Sequence, residues 1–187
     1  MPADQEFEIF WDFSVRTYRT AGVADECLFL QNEFGADVNM LLYCCWAAAG
    51  FGKFDGELFD QACGLSDEWA NNVVRPLRSA RTWMKHTGCS LDAMSADDCM
   101  RLREEIKKLE LGAEKLQQHT LGSLADKLQR QPAGRTSLAG DVSANLFMYL
   151  DYAAIEGSAE VRSRLVHIVV AAFPQLGIES VQTALGV

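Results

Sequence analysis

From Met40 to Ala49 the chain reads MLLYCCWAAA, ten apolar residues without a charge. A helix carrying such a run is apolar on every side, so other elements must surround it. The run falls well short of the roughly 18–20 residues that span a bilayer, and no membrane span is expected. Asp37 stands before it at an N-cap position, and Gly50 and Gly52 close it. A chain of 187 residues can supply the surrounding layer within a single domain, taken here as 1–187.

The flanking sequence reads as helix throughout. Phe7, Phe10, Trp11, Val15 and Tyr18 recur at helical spacing over about Gln5–Thr20. Short helices are expected over about Ala24–Glu33, ended by Gly35, and over Asp55–Cys63, stopped by Gly64. Ser66-Asp-Glu opens a longer helix to about Thr87, in which Pro76 forces a kink or a split. After a turn at Gly88–Leu91, Ser95 caps the longest helix, about Ala96–Gln129. There Cys99, Leu102, Ile106, Leu109, Ala113, Leu116 and Thr120 alternate steps of three and four, a coiled-coil-like seam suited to a helical hairpin. Gly112 and Gly122 should bend or break that helix. Residues 131–140, QPAGRTSLAG, read as a flexible linker. Helices follow over about Asp141–Glu156, Ala159–Phe173 and Ile178–Leu185, and no segment alternates with period two. The expected fold is all-α, a bundle of about seven to nine helices around a central apolar helix, with one long helical hairpin.

Charge is unevenly placed. Residues 1–70 hold 3 basic and 13 acidic residues, whereas residues 71–187 hold 14 basic and 13 acidic, for a total of −9. An acidic first third repels phosphate, so no nucleic-acid partner is expected. It suits a basic protein partner or a simple solvated surface. The six cysteines form no CxxC pair and no histidine lies at zinc-finger spacing; several sit inside apolar helical patterns as free core thiols do, which suits a reducing, cytoplasmic setting. Cys44 and Cys45 project about 100° apart on a helix and cannot jointly grip one ion. His86, His119 and His167 fall in separate helices, and no hydrolase, nucleotide-triphosphatase or metalloenzyme motif is present. No cofactor or metal is expected, and enzymatic activity is left open with the balance against it.

Two features could hold a ligand or partner, and a third bears on symmetry. Asp37 caps the central helix, and Asn39 lies in its first turn, where a buried amide needs partners from a neighbouring loop or from a ligand. Arg75, Arg78, Arg81 and Lys85 share one helical stripe that could seat an anion. Folding the chain at residues 91–92 instead sets Arg78 against Glu105, Arg81 near Glu104 and Lys85 near Asp97 and Asp98, with Glu110 and Glu114 extending the charged face. Internal pairing is the preferred reading of the stripe. Finally, NMLLYCCWAA from Asn39 echoes NLFMYLDYAA from Asn145. Convergent composition is the preferred explanation; a pseudo-symmetric pair would bring Asn39 and Asn145 together at the centre.

Phe10-Trp11-Asp12-Phe13-Ser14, Cys27-Leu28-Phe29-Leu30-Gln31, Gly35-Ala36-Asp37-Val38-Asn39, Leu41-Leu42-Tyr43-Cys44 and Trp46 resemble the motifs of a bacterial, mainly proteobacterial, family of short proteins catalogued as a domain of unknown function. Val73-Val74-Arg75-Pro76-Leu77-Arg78 with Arg81 and Lys85, and the Glu110/Glu114 region, resemble its later motifs. The resemblance covers about Phe10–Gln118 and returns at Phe173-Pro174. Cys45 departs from it, standing where an aliphatic residue is expected. The resemblance implies a bacterial cytosolic protein and supplies no activity. The function expected from the sequence is a non-enzymatic protein-binding or regulatory module. The alternative is a binder of a small or lipid-like molecule, enzymatic activity included, with a pocket beside Asp37, Asn39, Tyr43 and Trp46 and an anion held by Arg78 and Arg81.

Overall fold

A computed structural model describes residues 8–87, 95–125 and 138–187. These residues form nine α-helices and no strand: α1 Phe10–Tyr18, α2 Val23–Phe34, α3 Val38–Phe51, α4 Gly56–Trp69, α5 Arg75–Thr87, α6 Ala96–Ala125, α7 Leu138–Tyr152, α8 Ala159–Ala172 and α9 Ile178–Leu185. A π-helical turn, Ala70–Val74, joins α4 to α5. Among the described residues no helix is long and apolar enough to cross a membrane.

The apolar run does what its composition demands. Every residue from Met40 to Ala48 is at most 4% exposed. α7 lies along one side of α3, and α6, α1 and α2 pack around the rest. Its entry is set by two local devices. Gly35 ends α2 at φ +72°, with its N–H on the Gln31 carbonyl and the Ala36 N–H on the Leu30 carbonyl, a glycine-reversed ending that turns the chain within three residues. Asp37 then caps α3, its Oδ1 accepting the Asn39 N–H at 2.8 Å. Across the core, Asn145 of α7 fastens the far end of α3. It accepts the Phe54 N–H at 2.9 Å and donates to the carbonyls of Gly52 at 3.1 Å and Cys44 at 3.3 Å. Asn39 bonds Gln117 and Gln118 instead, so the two echoed amides do not meet.

Several expectations are corrected. α4 runs straight through Gly64, because Ser66 is buried and its hydroxyl donates to Asp37 Oδ2 at 2.7 Å, which anchors the helix beyond the glycine. Pro76 acts one turn upstream, where the wider π-turn accommodates the backbone bond its nitrogen cannot make. α6 is unbroken at Gly112 and Gly122. The packing of α6 as a whole against α1, α3, α4 and α5 outweighs the roughly 1 kcal/mol each glycine costs relative to alanine. Gly122 brings α6 close to α1: a Cβ at that position would lie 3.7 Å from Phe10 Cβ. α7 begins at Leu138, inside the expected linker, since Leu138 packs on the core; the turn at Gly88–Leu91 and residues 131–137 of that linker lie outside the described residues. The heptad leucines of α6 do not form an inner seam: Leu102, Leu109 and Leu116 are 48, 62 and 51% exposed.

Cys27, Cys44, Cys45 and Cys63 are free and buried, as expected of core thiols, and Cys99 is disulfide-bonded, which the expected reducing setting did not foresee. Cys44 turns toward α7, its Sγ 3.4 Å from the Asn145 carbonyl, while Cys45 lies near Cys27 of α2. The pair therefore serves two different interfaces.

Candidate functional site

A cleft of about 980 Å³ opens where α1, α2, the start of α3, α5 and α6 converge. Its size suits a small-molecule site. The α1 wall carries Trp11, Ser14 and Tyr18, the α2 wall Leu28 and Gln31, and the α5 wall Arg75, Arg78 and Arg81. α6 supplies Lys107, Glu110, Glu114, Gln117 and Gln118, and Asp37, Asn39 and Leu42 come from the head of α3.

The arginine stripe lines this cleft and is also paired. Arg78 spends its guanidinium on three partners: Nε on Glu110 Oε1 at 2.8 Å, Nη1 on Gln31 Oε1 at 2.7 Å and Nη2 on Glu114 Oε1 at 2.7 Å. Arg81 grips Glu110 with two nitrogens, Nε on Oε2 and Nη2 on Oε1. The expected internal pairing is therefore present, but in a different register. The partners are Glu110 and Glu114 rather than Glu104 and Glu105, so α6 is shifted one to two turns against α5 relative to a hairpin folded symmetrically at residues 91–92. Arg75 donates to Asn71 on its own helical stretch, and Lys85 is not among the cleft residues.

Two carboxyls in one cluster end with opposite proton affinities. Burial works to raise Glu110, but its bonds and attraction to Arg81 and Arg78 outweigh it and hold the carboxyl below its usual range. Burial also raises Glu114, and there Arg78 fails to compensate, with the Glu110 charge adding to the rise. Burial likewise raises the Tyr18 phenol, with smaller contributions from Cys27 and Glu114.

Beneath the charged wall lies a relay of side-chain amides. Ser66 Oγ and Gln117 Nε2 both donate to Asp37 Oδ2, at 2.7 and 2.8 Å. Gln117 Oε1 accepts Asn39 Nδ2 at 2.7 Å, and Asn39 Oδ1 accepts Gln118 Nε2 at 2.7 Å. Amide orientation is usually ambiguous, but here a carboxylate that only accepts fixes each member in turn. The relay ends at Gln118 Oε1, which is buried and without a hydrogen-bond partner. Ser14 Oγ is a second such atom on a cleft-lining residue.

Of the six residues singled out from sequence, Asp37, Asn39, Arg78 and Arg81 come together in the cleft. Tyr43 and Trp46 do not. They lie one and two turns deeper along the Asn39 stripe, roofed by Phe10, in an aromatic cluster with centroids 5.3–5.9 Å apart. Trp46 spends its Nε1–H on the Glu8 carbonyl at 2.8 Å. The sequence reading missed Gln117, Gln118, Ser66 and Ser14. A signal existed for Gln117: it stands four residues from both Ala113 and Leu121, core positions of α6, so an inward-facing amide could have been inferred. Among the described residues no group of three or more His, Cys, Asp or Glu side chains could hold a metal ion.

A family model described as "Protein of unknown function (DUF2390)" matches residues 9–121, more than half the chain. That span contains every residue lining the cleft. No curated protein and no solved structure matches the chain.

Proposed function

For a chain that belongs to the DUF2390 family of proteins of unknown function, we propose that the α1–α2–α3–α5–α6 cleft binds a small molecule carrying an anionic group. The supporting observation is a local reversal of charge. The cleft gathers Arg19, Arg75, Arg78, Arg81 and Lys107 against Asp37, Glu110 and Glu114, in a chain of net charge −9. Five cations against three carboxylates, with polar groups beneath, favour an anion over a neutral lipid. Glu110 and Glu114 also order Arg78 and Arg81, so the cationic wall is set before a ligand arrives, which reduces the entropy lost on binding.

Native mass spectrometry of protein purified from its own host, followed by calorimetry with any copurified molecule, tests the reading. The expected result is one bound anion whose affinity falls at least tenfold in Lys107→Glu and weakens with salt. A protein that carries nothing from its host, and that no anion stabilises, refutes it.

A second reading rests on a separate observation. Leu102, Leu109 and Leu116 form an exposed stripe at heptad spacing, which suits the protein-binding module expected from sequence. Sedimentation of the wild type and of Leu109→Asp distinguishes it, since a partner helix on that stripe would be lost in the variant. We assign the protein to a reducing cytoplasm, on the strength of four buried free thiols. The Cys99 disulfide pulls the other way, and cell fractionation decides between them.

A further inference from the structure

We propose that the cleft recognises a nucleoside monophosphate whose base carries an exocyclic amino group, the amino group donating to Gln118 Oε1 and the phosphate lying at Arg81 and Lys107. This rests on the anion-binding reading and adds the polarity and length of the ligand.

Polarity follows from the amide relay. Asp37 Oδ2 can only accept, so Gln117 must present Nε2 to it. Gln117 Oε1 then faces Asn39 Nδ2, and Asn39 Oδ1 faces Gln118 Nε2. Gln118 is left with Oε1 as an acceptor, and no donor reaches it. Gln118 lines the cleft, and the whole residue is 4% exposed. A desolvated acceptor without a partner is costly, and a ligand donor placed there recovers the cost.

The second orphan stands beside it. Phe10 of α1 lies opposite Gly122 of α6, and Tyr18 senses the charge of Glu114. α1 therefore runs antiparallel along α6, and Ser14, one turn from Phe10, stands level with Gln118, one turn from Gly122. Ser14 is also 4% exposed, with its hydroxyl unpartnered. The inner end of the cleft thus offers an acceptor and a hydroxyl together, a pairing that suits the amino and ring-nitrogen edge of a base.

Length follows from α6. Glu110, which holds Arg81, precedes Gln118 by eight residues, about 12 Å of helix. Arg81 uses Nε and Nη2 on Glu110, and Nη1 has no protein partner among the described residues. Lys107 lies one turn further out and reaches Glu104 only at 3.9 Å. An anion seated there is separated from the inner donor by about the length of a mononucleotide. Trp11 and Leu28 line the cleft and offer apolar surface for the base and sugar.

The probes are adenosine 5′-monophosphate and inosine 5′-monophosphate, titrated calorimetrically into the full chain. They share phosphate, ribose and ring outline and differ by an amino donor against a carbonyl acceptor. The adenine nucleotide should bind about tenfold or more tightly than the inosine nucleotide. Asp37→Asn retains a good helix cap and frees the relay to flip, so the preference should fall below threefold. Gln118→Met should do the same while phosphate-dependent binding persists, with circular dichroism checking the fold of both variants. Equal affinity of the two nucleotides, or an unchanged preference in Asp37→Asn, overturns the inference and leaves the anion site standing. Binding of a host-derived anion but of neither nucleotide overturns it too, and no anion bound at all removes both readings.

Discussion

Glu110→Gln and Glu114→Gln are nearly isosteric changes four residues apart, and the structure assigns them different outcomes. Glu110 is 7% exposed and receives Arg78 Nε, Arg81 Nε and Arg81 Nη2. A glutamine with its oxygen at the Oε1 position keeps Arg78 Nε and Arg81 Nη2 as donors but turns an NH2 toward Arg81 Nε, so one of three bonds is lost and the other two lose the carboxylate charge. Each such bond contributes about 1.5–3 kcal/mol. The two arginine side chains are 24–27% exposed, so water recovers part of the loss, and Glu110→Gln should cost about 2–3 kcal/mol at pH 7. Glu114 accepts only Arg78 Nη2, and its ionised form opposes both burial and the Glu110 charge. Glu114→Gln retains an acceptor for that bond and removes the opposition, so its effect should lie within about 1 kcal/mol of zero or stabilise. The pH dependences have opposite signs. Glu110 has its folded pKa below its unfolded value, so its contribution is present above the unfolded pKa and is lost as the pH falls through the folded one. Glu114 has its folded pKa raised, so its contribution favours folding below the unfolded pKa and is lost as the pH rises through the folded one. Urea unfolding from about pH 3.5 to about pH 7, a window that spans the ordinary carboxylate range, should show the Glu110→Gln penalty shrinking in acid. Any advantage of Glu114→Gln should vanish there as well. Equal penalties for the two variants, or parallel pH profiles, would refute the assignment of their environments.

Asn145→Ala leaves the Phe54 N–H and the Gly52 carbonyl without side-chain partners around a fully buried position, and should cost about 2–4 kcal/mol in urea unfolding with an unchanged m value. Gly112→Ala meets nothing within 4 Å and should stabilise by about 0.5–1 kcal/mol, whereas Gly35→Ala, at φ +72°, should destabilise by about 1 kcal/mol; paired thermal melts check both signs. Burial pushes the Cys27 and Cys63 thiols up to about 12, Cys45 higher still, and Cys44 well above its ordinary value. The four buried thiols should therefore react slowly with a disulfide reagent in the native protein and at once in denaturant, and added reductant should raise the denatured thiol count because Cys99 is bonded.

The fold was legible where one residue type dominates its surroundings. An uncharged decapeptide can only be interior, Asp37 can cap only the helix on its C-terminal side, and Gly35 suits a left-handed helix ending. The errors arose where two local signals competed. Gly64 reads as a stop, yet Ser66 is tied to Asp37 from another helix, a contact that single-sequence punctuation does not contain. The heptad of α6 offers Leu102, Leu109 and Leu116 as an inner seam, but which stripe faces inward depends on where α1, α3 and α4 lie against that helix. The Arg78 register failed for a related reason. A symmetric fold-back presumes helices that begin level, and the observed pairs fix a stagger that no charge count determines.

The inward face of α6 explains why the site was harder to read than the fold. Its buried positions are Cys99, Glu110, Ala113, Gln117, Gln118, Leu121 and Ala125, three of the seven polar, while four leucines of the same helix are exposed. Periodicity analysis follows hydrophobicity, so it selects the exposed stripe and discards the buried one. Such an inversion is expensive, because each inward polar group needs a partner, and the chain supplies them from Asp37, Asn39, Ser66 and Arg78 on three other elements. An apolar seam of the same volume would hold α6 at least as well. Local rules are broken here at a stability cost, and a cleft opens at the same residues, which is the pattern the proposed ligand site requires, with stability of the bundle left to α3 and its neighbours.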